Sequence, residues 1–487
     1  MRPAVPAAWD VQPGAAGVDR YQARWVMASA VVYQAYQFAL DLTPRQQVGA
    51  ASHVGAHRFA YNWGLALVKD RLDRRQAGQD VRIPWTLFDL RREWNAAKDE
   101  VAPWWRENSK EAYSSGLDAL ARALANWSES KQGRRKGARV GFPKRKRKGR
   151  GREACRFTTG AIRVEPDRHH VTLPRLARLR THESTRKLAR RLEQGTARIL
   201  SATLSRRGGR WYVSFGCAVH KAGRSLRQPG AKVGVDVGIK HLAVLSDGRQ
   251  IPNPAPLQRA LRGLRRVNRR LARRRGPIVP DDTGREPSKG WLEAKRQLTK
   301  AHARVGSVRR NALHHLTSEL AYTYGVVVVE HLNVVGMLRN HRLARRIADA
   351  GFGELRRQLG YKTAWAGGVL VQADTFYPSS KTCSGCGHVK AKLPLSERTY
   401  RCERCGLVLD RDENAARNLA ALLQTGARMD VVAGSGPETQ NARGADVRPG
   451  LSGQIAVNRE AGTGRRPGGT GTAGAQASAA PITDTRR

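Results

Sequence analysis

Acidic side chains are scarce in this chain: Asp and Glu number 40 against 88 Lys and Arg, which leaves a formal net charge of +48 at neutral pH. A compact molecule with that surplus repels itself unless a polyanion neutralises it. The composition therefore excludes a self-sufficient globule and asks for a sizeable phosphate-bearing partner, since each phosphate neutralises one charge. Long apolar runs are lacking as well. Basic proteins that bind membranes carry an amphipathic anchor or an apolar span, and no uninterrupted run near the ~18 residues of a span occurs. No basic start leads into an apolar stretch with a small-residue cleavage site, so a cytoplasmic protein without a membrane partner is expected. Cysteine is limited to six residues, and Cys155 and Cys217 stand alone. The other four fall in two C-x-x-C pairs, which in a reducing compartment read as a metal site rather than disulfides.

With 487 residues, 40% of them hydrophobic, the chain has material for two to four cored domains. Residues 1–29, rich in Ala, Pro and Gly, are expected to be a disordered extension. From Val31, apolar and polar residues alternate through Tyr36, Phe38, Leu40 and Leu42, which predicts a strand. Thr43, Pro44 and Gln46 then suit an N-cap, N1 and the N3 position of a capping box, so a helix should follow. Residues 104–131 predict another helix, with Leu117, Leu120 and Leu124 on one side. Eleven of the nineteen residues 134–152 are Lys or Arg. Such runs are often solvated tails, but this one lies between folded segments and reads as a phosphate-contacting loop. The stretch 198–220 predicts a β-hairpin around Gly208-Gly209. Residues 255–275 and 288–323 read as two long basic helices. From about Gly426 the chain has no hydrophobic period and is expected to be disordered to residue 487.

Three acids stand out. Asp236 lies among Val233, Val235 and Val237 on an alternating strand, and Glu330 ends the β-branched run 326–329, which implies a strand buried on both faces. A carboxylate there is costly to bury unless it is paired or binds a cation. Asp412 opens an apolar-periodic helix, where an acid also serves simply as a cap. Taken singly these signals are weak. Together, an Asp on a first strand, a Glu ending a later buried strand and an Asp opening a late helix form the pattern of RNase H-like nucleases. Such enzymes need a carboxylate cage holding two divalent ions about 3.5–4 Å apart, and Mg2+ suits oxygen ligands. Asp236 is expected to bridge, with Glu330 and Asp412 completing the cage.

Cys383-x2-Cys386 and Cys402-x2-Cys405, separated by fifteen residues, have zinc-site spacing. Gly387 and Gly406 follow the second cysteine of each pair and permit tight turns. Four thiolates close a tetrahedral site, so one structural zinc ion is expected, with His388 outside the ligand set.

These residues resemble the TnpB (OrfB-type) proteins of bacterial insertion sequences, relatives of the type V CRISPR effector nucleases. The resemblance runs from about residue 31 to 425. It is carried by GAHRFAYNWGLAL near the start, GVDVGIKHLAV around Asp236, VVVVEHLNVVGM around Glu330, YPSSKTCSGCG, and YRCERCGLVLDRDENAARNLA through Asp412. It implies an α/β multidomain fold: an RNase H-like (RuvC) nuclease core with an inserted zinc ribbon, plus an N-terminal β-barrel wedge with a helical recognition insertion. The implied divisions are 30–229 for the wedge (helical about 43–135), 230–378 and 409–425 for the nuclease, and 379–408 for the ribbon. By motif, Asp236, Glu330 and Asp412 fall on the family's catalytic, Mg2+-binding positions and the four cysteines on its zinc ligands. Asp410 is the poorer match because it does not directly precede the x-N-A-A segment. The implied partners are a guide RNA from the transposon end and a double-stranded DNA target cut next to a short motif, with a monomer favoured and nucleoid association when DNA is bound. The implied activity is RNA-guided endonucleolytic cleavage. A transposase joining strands with the same cage, a catalytically inactive RNA-guided regulator and a plain basic nucleic-acid-binding protein remain the alternatives. In relatives the guide overlaps the end of the coding region, so the composition of the tail after residue 425 is read as an RNA constraint.

Overall fold

In the computed structural model, which describes residues 30–135, 138–149, 151–221, 226–276, 287–394, 396–424 and 429–432, Thr43 closes the first strand and opens the first helix. Strand β1 (Ala30–Asp41) ends there, and helix α1 (Pro44–Gln76) begins with the expected capping box between Thr43 and Gln46. Helices α2 (Leu87–Val101) and α3 (Lys110–Lys131) follow before the chain returns to strand. The helix expected from residue 104 starts later, because Pro103–Glu107 form a 3-10 turn and Ser109 supplies the cap. The three helices therefore lie between β1 and the next strand of the chain.

Strands β2 (Glu153–Phe157), β3 (Arg163–Val164), β4 (His170–Leu173), β5 (Ala177–Thr181), β6 (Ala197–Arg207) and β7 (Arg210–Lys221) join β1 in an antiparallel sheet ordered β2-β6-β7-β1-β5-β4-β3. Helix α4 (Arg186–Glu193) connects β5 to β6. The hairpin expected around Gly208-Gly209 is β6–β7. Among the described residues the sheet has two edges, β2 and β3, and no hydrogen-bonded closure into the expected barrel. Apolar faces of α1 to α3, including Leu65, Leu90, Leu117 and Leu120, share one core with Phe157, Leu204 and Phe215 of the sheet.

The second unit is a mixed sheet. Strands β8 (Gln228–Asp236), β9 (His241–Leu245) and β10 (Gln250–Pro252) form an antiparallel meander. After helices α5 (Pro256–Ala272) and α6 (Lys289–Thr323), strand β11 (Tyr324–Val329) returns parallel to β8. Helices α7 (Val334–Met337), α8 (Ala344–Ala350) and α9 (Phe352–Ala366) then lead to β12 (Val369–Ala373), parallel to β11. The expected two-sided burial of β11 is realised. Val327 and Val329 pack with Val235, Leu320 and Leu359 on one face, and Val328 packs with Val371 and Leu419 on the other.

A small two-stranded sheet, β13 (Thr399–Arg401) and β14 (Val408–Asp410), is inserted between β12 and helix α10 (Arg411–Ala421). The expected disorder from residue 426 needs correction at one place: β15 (Met429–Val432) pairs antiparallel with β12 and extends the second sheet beyond the expected limit of residue 425. Its Val431-Val432 pair suits strand and meets a free sheet edge, but four residues are too few to read as a period. The expected extension 1–29 and the rest of 426–487 lie outside the described residues.

Candidate active site and metal centre

The register of the two central strands brings the first two acids together. Val329 of β11 pairs with Val235 of β8 in a parallel ladder. The next residue on each strand is the acid, so Asp236 and Glu330 leave the same end of adjacent strands, which lie about 4.8 Å apart. Both are half-buried.

The third acid arrives on α10, and a close backbone crossing makes that possible. A Cβ at Gly234, two residues before Asp236, would lie 2.0 Å from the Ala416 carbonyl oxygen and 2.6 Å from the Ala420 nitrogen. Only glycine lets the helix lie this close to β8. The capping role belongs to Asp410, whose Oδ1 accepts the backbone N–H groups of Asp412 (2.9 Å) and Glu413 (3.3 Å). The Asp412 carboxylate is not the cap of this helix. It faces Arg398 at 3.7 Å and acts electrostatically on both Asp236 and Glu330.

Crowding and burial set the protonation of the group. Burial pushes the Asp236 carboxyl well above the ordinary aspartate range, and the charges of Glu330 and Asp412 push it further. Glu330 is also raised, by burial first and by Asp412, although a hydrogen bond from Ser379 pulls the other way. Among the described residues, the three carboxylates stand wider apart than the four cysteines, which alone bring their ligand atoms within 4.8 Å of one another.

The four cysteines form two matching knuckles. Gly387 N–H donates to the Cys383 carbonyl at 2.9 Å and Gly406 N–H to the Cys402 carbonyl at 3.1 Å. Both glycines have φ of +72°, the left-handed region that a side chain disfavours. Each knuckle closes with a second bond, Cys383 N–H to the His388 carbonyl and Cys402 N–H to the Leu407 carbonyl, both 2.8 Å. The Sγ pairs Cys383–Cys405 and Cys386–Cys402 are 3.6 Å apart. Thiolates ~2.3 Å from one tetrahedral zinc ion stand roughly 3.8 Å apart, so the donor set fits that ion. The four thiols act on one another: the Cys405 N–H helps to draw Cys402 down to about 6, while hydrogen bonds from its neighbours push Cys405 up to about 12.

Three residues that the sequence reading passed over tie these centres together. Ser379 Oγ donates to Glu330 Oε1 at 2.5 Å, and the Ser379 carbonyl accepts from Asn418 Nδ2 at 2.7 Å. Asn414 of α10 donates to the Thr382 carbonyl at 2.7 Å and accepts from Ser384 N–H at 3.0 Å. A Ser or Asn carries no sequence signal for such a role. The one available cue was the position of these residues beside the acids and cysteines.

A basic cleft of about 1780 Å³ lies between the two units, and no Asp or Glu is among its described lining residues. Arg190, Arg206 and Arg207 line one side, and Arg310, Arg357 and Lys362 the other. Burial pulls the Lys362 ammonium down to about 8. Within the basic run 134–152, the described segment around Lys146 is anchored. Asn62 bonds the Lys146 backbone at both its N–H (2.8 Å) and its carbonyl (2.9 Å). The Lys146 Nζ sits 4.0 Å from the Tyr61 ring centroid, while Lys144, Arg145, Arg147 and Lys148 remain exposed.

The chain also resembles known proteins. Residues 215–341 match the family described as "Probable transposase", residues 27–77 its "Helix-turn-helix domain", and residues 352–419 the "Cas12f1-like, TNB domain". A Mycobacterium tuberculosis protein named "Putative RNA-guided DNA endonuclease" is 41% identical over 406 residues, spanning 80% of this chain and 86% of its own. An Escherichia coli protein named "Putative RNA-guided DNA endonuclease InsQ" is 28% identical over 404 residues, spanning 80% and 92%. The solved structure described as a Cas12f1–sgRNA–target DNA complex aligns with a TM-score of 0.42 at 14% identity, over 80% of this chain and 99% of that one. With 41% identity across most of both chains, the protein belongs to the OrfB-type, or TnpB, family of insertion-sequence proteins.

Proposed function

We propose that this protein is an RNA-guided DNA endonuclease whose cleavage centre is formed by Asp236, Glu330 and Asp412 at one end of an RNase H-like (RuvC) sheet. The observation that carries the reading is the convergence of three acids, from β8, β11 and α10, in a molecule otherwise dominated by positive charge. The strand order supports it: an antiparallel meander β10-β9-β8 followed by parallel β11 and β12, with acids at the ends of the two central strands. The crowded pair Asp236 and Glu330, both with raised proton affinity, has the electrostatic signature of a site made for cations.

The donor set is all carboxylate oxygen, which suits Mg2+. Asp236, Glu330 and Asp412 would hold the ions together, with Asp236 the candidate for a shared ligand. When bound, the ions would supply an activated water and charge relief at the leaving oxygen. Arg398, beside Asp412, adds a positive charge at the rim of the site. The ribbon would hold a structural zinc ion through Cys383, Cys386, Cys402 and Cys405, with no position left open for chemistry.

The acid-free cleft between the units suits a nucleic acid duplex. A guide–target heteroduplex there would be held through its backbone while base pairing reads the sequence. Strand transfer by the same acids is the other reading of the family description. The discriminating experiment is to sequence the RNA that copurifies with the full chain, then change its guide portion and assay plasmid cleavage. A discrete transcript and cutting that follows the changed guide are expected. Heterogeneous cellular RNA, or joined rather than cut DNA, would overturn the proposal.

A further inference from the structure

Ser379 lies on the segment that leaves β12 for the ribbon, and both of its polar groups are engaged. Its hydroxyl donates to one oxygen of Glu330 at 2.5 Å, and its carbonyl is held by Asn418 Nδ2 at 2.7 Å. The same Nδ2 also reaches the Thr382 carbonyl at 2.6 Å, next to Cys383. Ser379 and Asn418 are each 4% exposed and Asn414 is fully buried, so water is a poor substitute for these bonds. Asn418 and Asn414 belong to α10, the helix that opens with Asp412. One buried bracket therefore joins the Glu330 carboxylate, the helix carrying Asp412 and the root of the first zinc knuckle.

A glutamate side chain has three rotatable bonds and sweeps a wide arc. A hydroxyl donor on Oε1 removes that freedom and leaves Oε2 for a cation. We propose that Ser379 is a positioning residue for cleavage: held in place by Asn418, it fixes the Glu330 carboxylate in the orientation that receives the divalent ion. The inference rests on the carboxylate site proposed above. Partners of metal-binding carboxylates typically contribute 10–100-fold in metal affinity or activity, and that is the scale expected here.

The test uses the full chain. Single-turnover cleavage with guide RNA is measured against Mg2+ concentration for the wild type, Ser379→Ala, Ser379→Thr and Glu330→Gln. Mn2+ binding to each chain without RNA is followed by electron paramagnetic resonance, together with zinc content and melting temperature. Ser379→Ala should need about 10–100-fold more Mg2+ or cut that much more slowly, and should bind Mn2+ correspondingly more weakly, with zinc content unchanged. Ser379→Thr, which keeps the hydroxyl, should recover most of both. The proposal is overturned if Ser379→Ala keeps the wild-type metal dependence, or if its only defect is lost zinc or a lower melting temperature. Glu330→Gln separates the two levels. A cutting Glu330→Gln variant refutes the carboxylate site itself, whereas an inactive one beside a normal Ser379→Ala refutes only the role of Ser379.

Discussion

Glu111, in the helical insertion, and Glu330, in the second sheet, are both acids withdrawn from water, yet their surroundings drive them in opposite directions. Burial raises the proton affinity of Glu111, but its carboxylate accepts the Thr158 N–H (2.9 Å), the Thr158 hydroxyl and the Thr159 hydroxyl (3.0 Å). These donors win, and the group sits below the ordinary glutamate range. Glu330 has one hydroxyl donor and an acidic neighbourhood, and it sits above that range. The cysteines also divide by their surroundings. Burial pushes Cys155 and Cys217, in the core of the first unit, up to about 12, whereas in the ribbon the thiols act on one another, with Cys402 drawn down to about 6 and Cys405 pushed up to about 12. A buried acid or thiol that the chain itself satisfies serves stability. One set facing its own kind is a place for a cation.

The sharpest way to break this contrast is Asp236→Asn. Cleavage should fall to background while RNA affinity changes by no more than about twofold, because affinity comes from Lys and Arg contacts with phosphate. The sign of the stability change follows from linkage. A carboxyl whose folded pKa is raised costs stability in full above that folded value; the cost shrinks as pH falls through it and is gone below the ordinary pKa. Without Mg2+, Asp236→Asn should therefore melt higher than the wild type at neutral pH, and the gain should vanish in acid. A variant that still cuts, or that melts lower at neutral pH, would contradict the account.

Gly234→Ala tests the geometry rather than the charge. Its methyl would collide with the Ala416 carbonyl, so α10 must shift, carrying Asp412 with it. Overpacking of this kind typically costs ~1–3 kcal/mol, and cleavage should fall more than the loss of folded protein explains. Thermal melting and single-turnover rates on the folded fraction separate the two effects.

Glu111→Gln, with the smallest expected effect on chemistry, addresses the other side of the comparison. It removes a satisfied buried charge, at a cost of ~1–3 kcal/mol. Because the folded pKa of Glu111 is depressed, its contribution is present at neutral pH and is lost as pH falls through that folded value. The melting difference between wild type and variant should thus close in acid, the reverse of the Asp236→Asn pattern. Cleavage by folded protein should be unchanged.

The parts of the molecule legible beforehand were those with local signatures. The Thr43–Gln46 capping box, the two-sided valine run of β11, the β6–β7 hairpin and the paired cysteines are each a pattern within a few residues. Helix α2 and strands β2 to β5 were passed over because they are short or interrupted by charge; β5, for example, reads Ala-Arg-Leu-Arg-Thr. The acids were identifiable by residue type and order, but the parallel register that places Asp236 beside Glu330 depends on chain segments nearly a hundred residues apart. The choice of Asp410 as cap, the Gly234 crossing and the Ser379–Asn418 bracket are contacts between distant segments, and only the fold reveals them.

Anomalous diffraction from crystals of the protein–guide RNA complex soaked in Mn2+ tests the central claim most directly. Peaks held by the carboxylates of Asp236, Glu330 and Asp412, lost in Asp236→Asn, are the predicted result. Mn2+ bound elsewhere in a complex that still cuts its target, with none at these three acids, would contradict it.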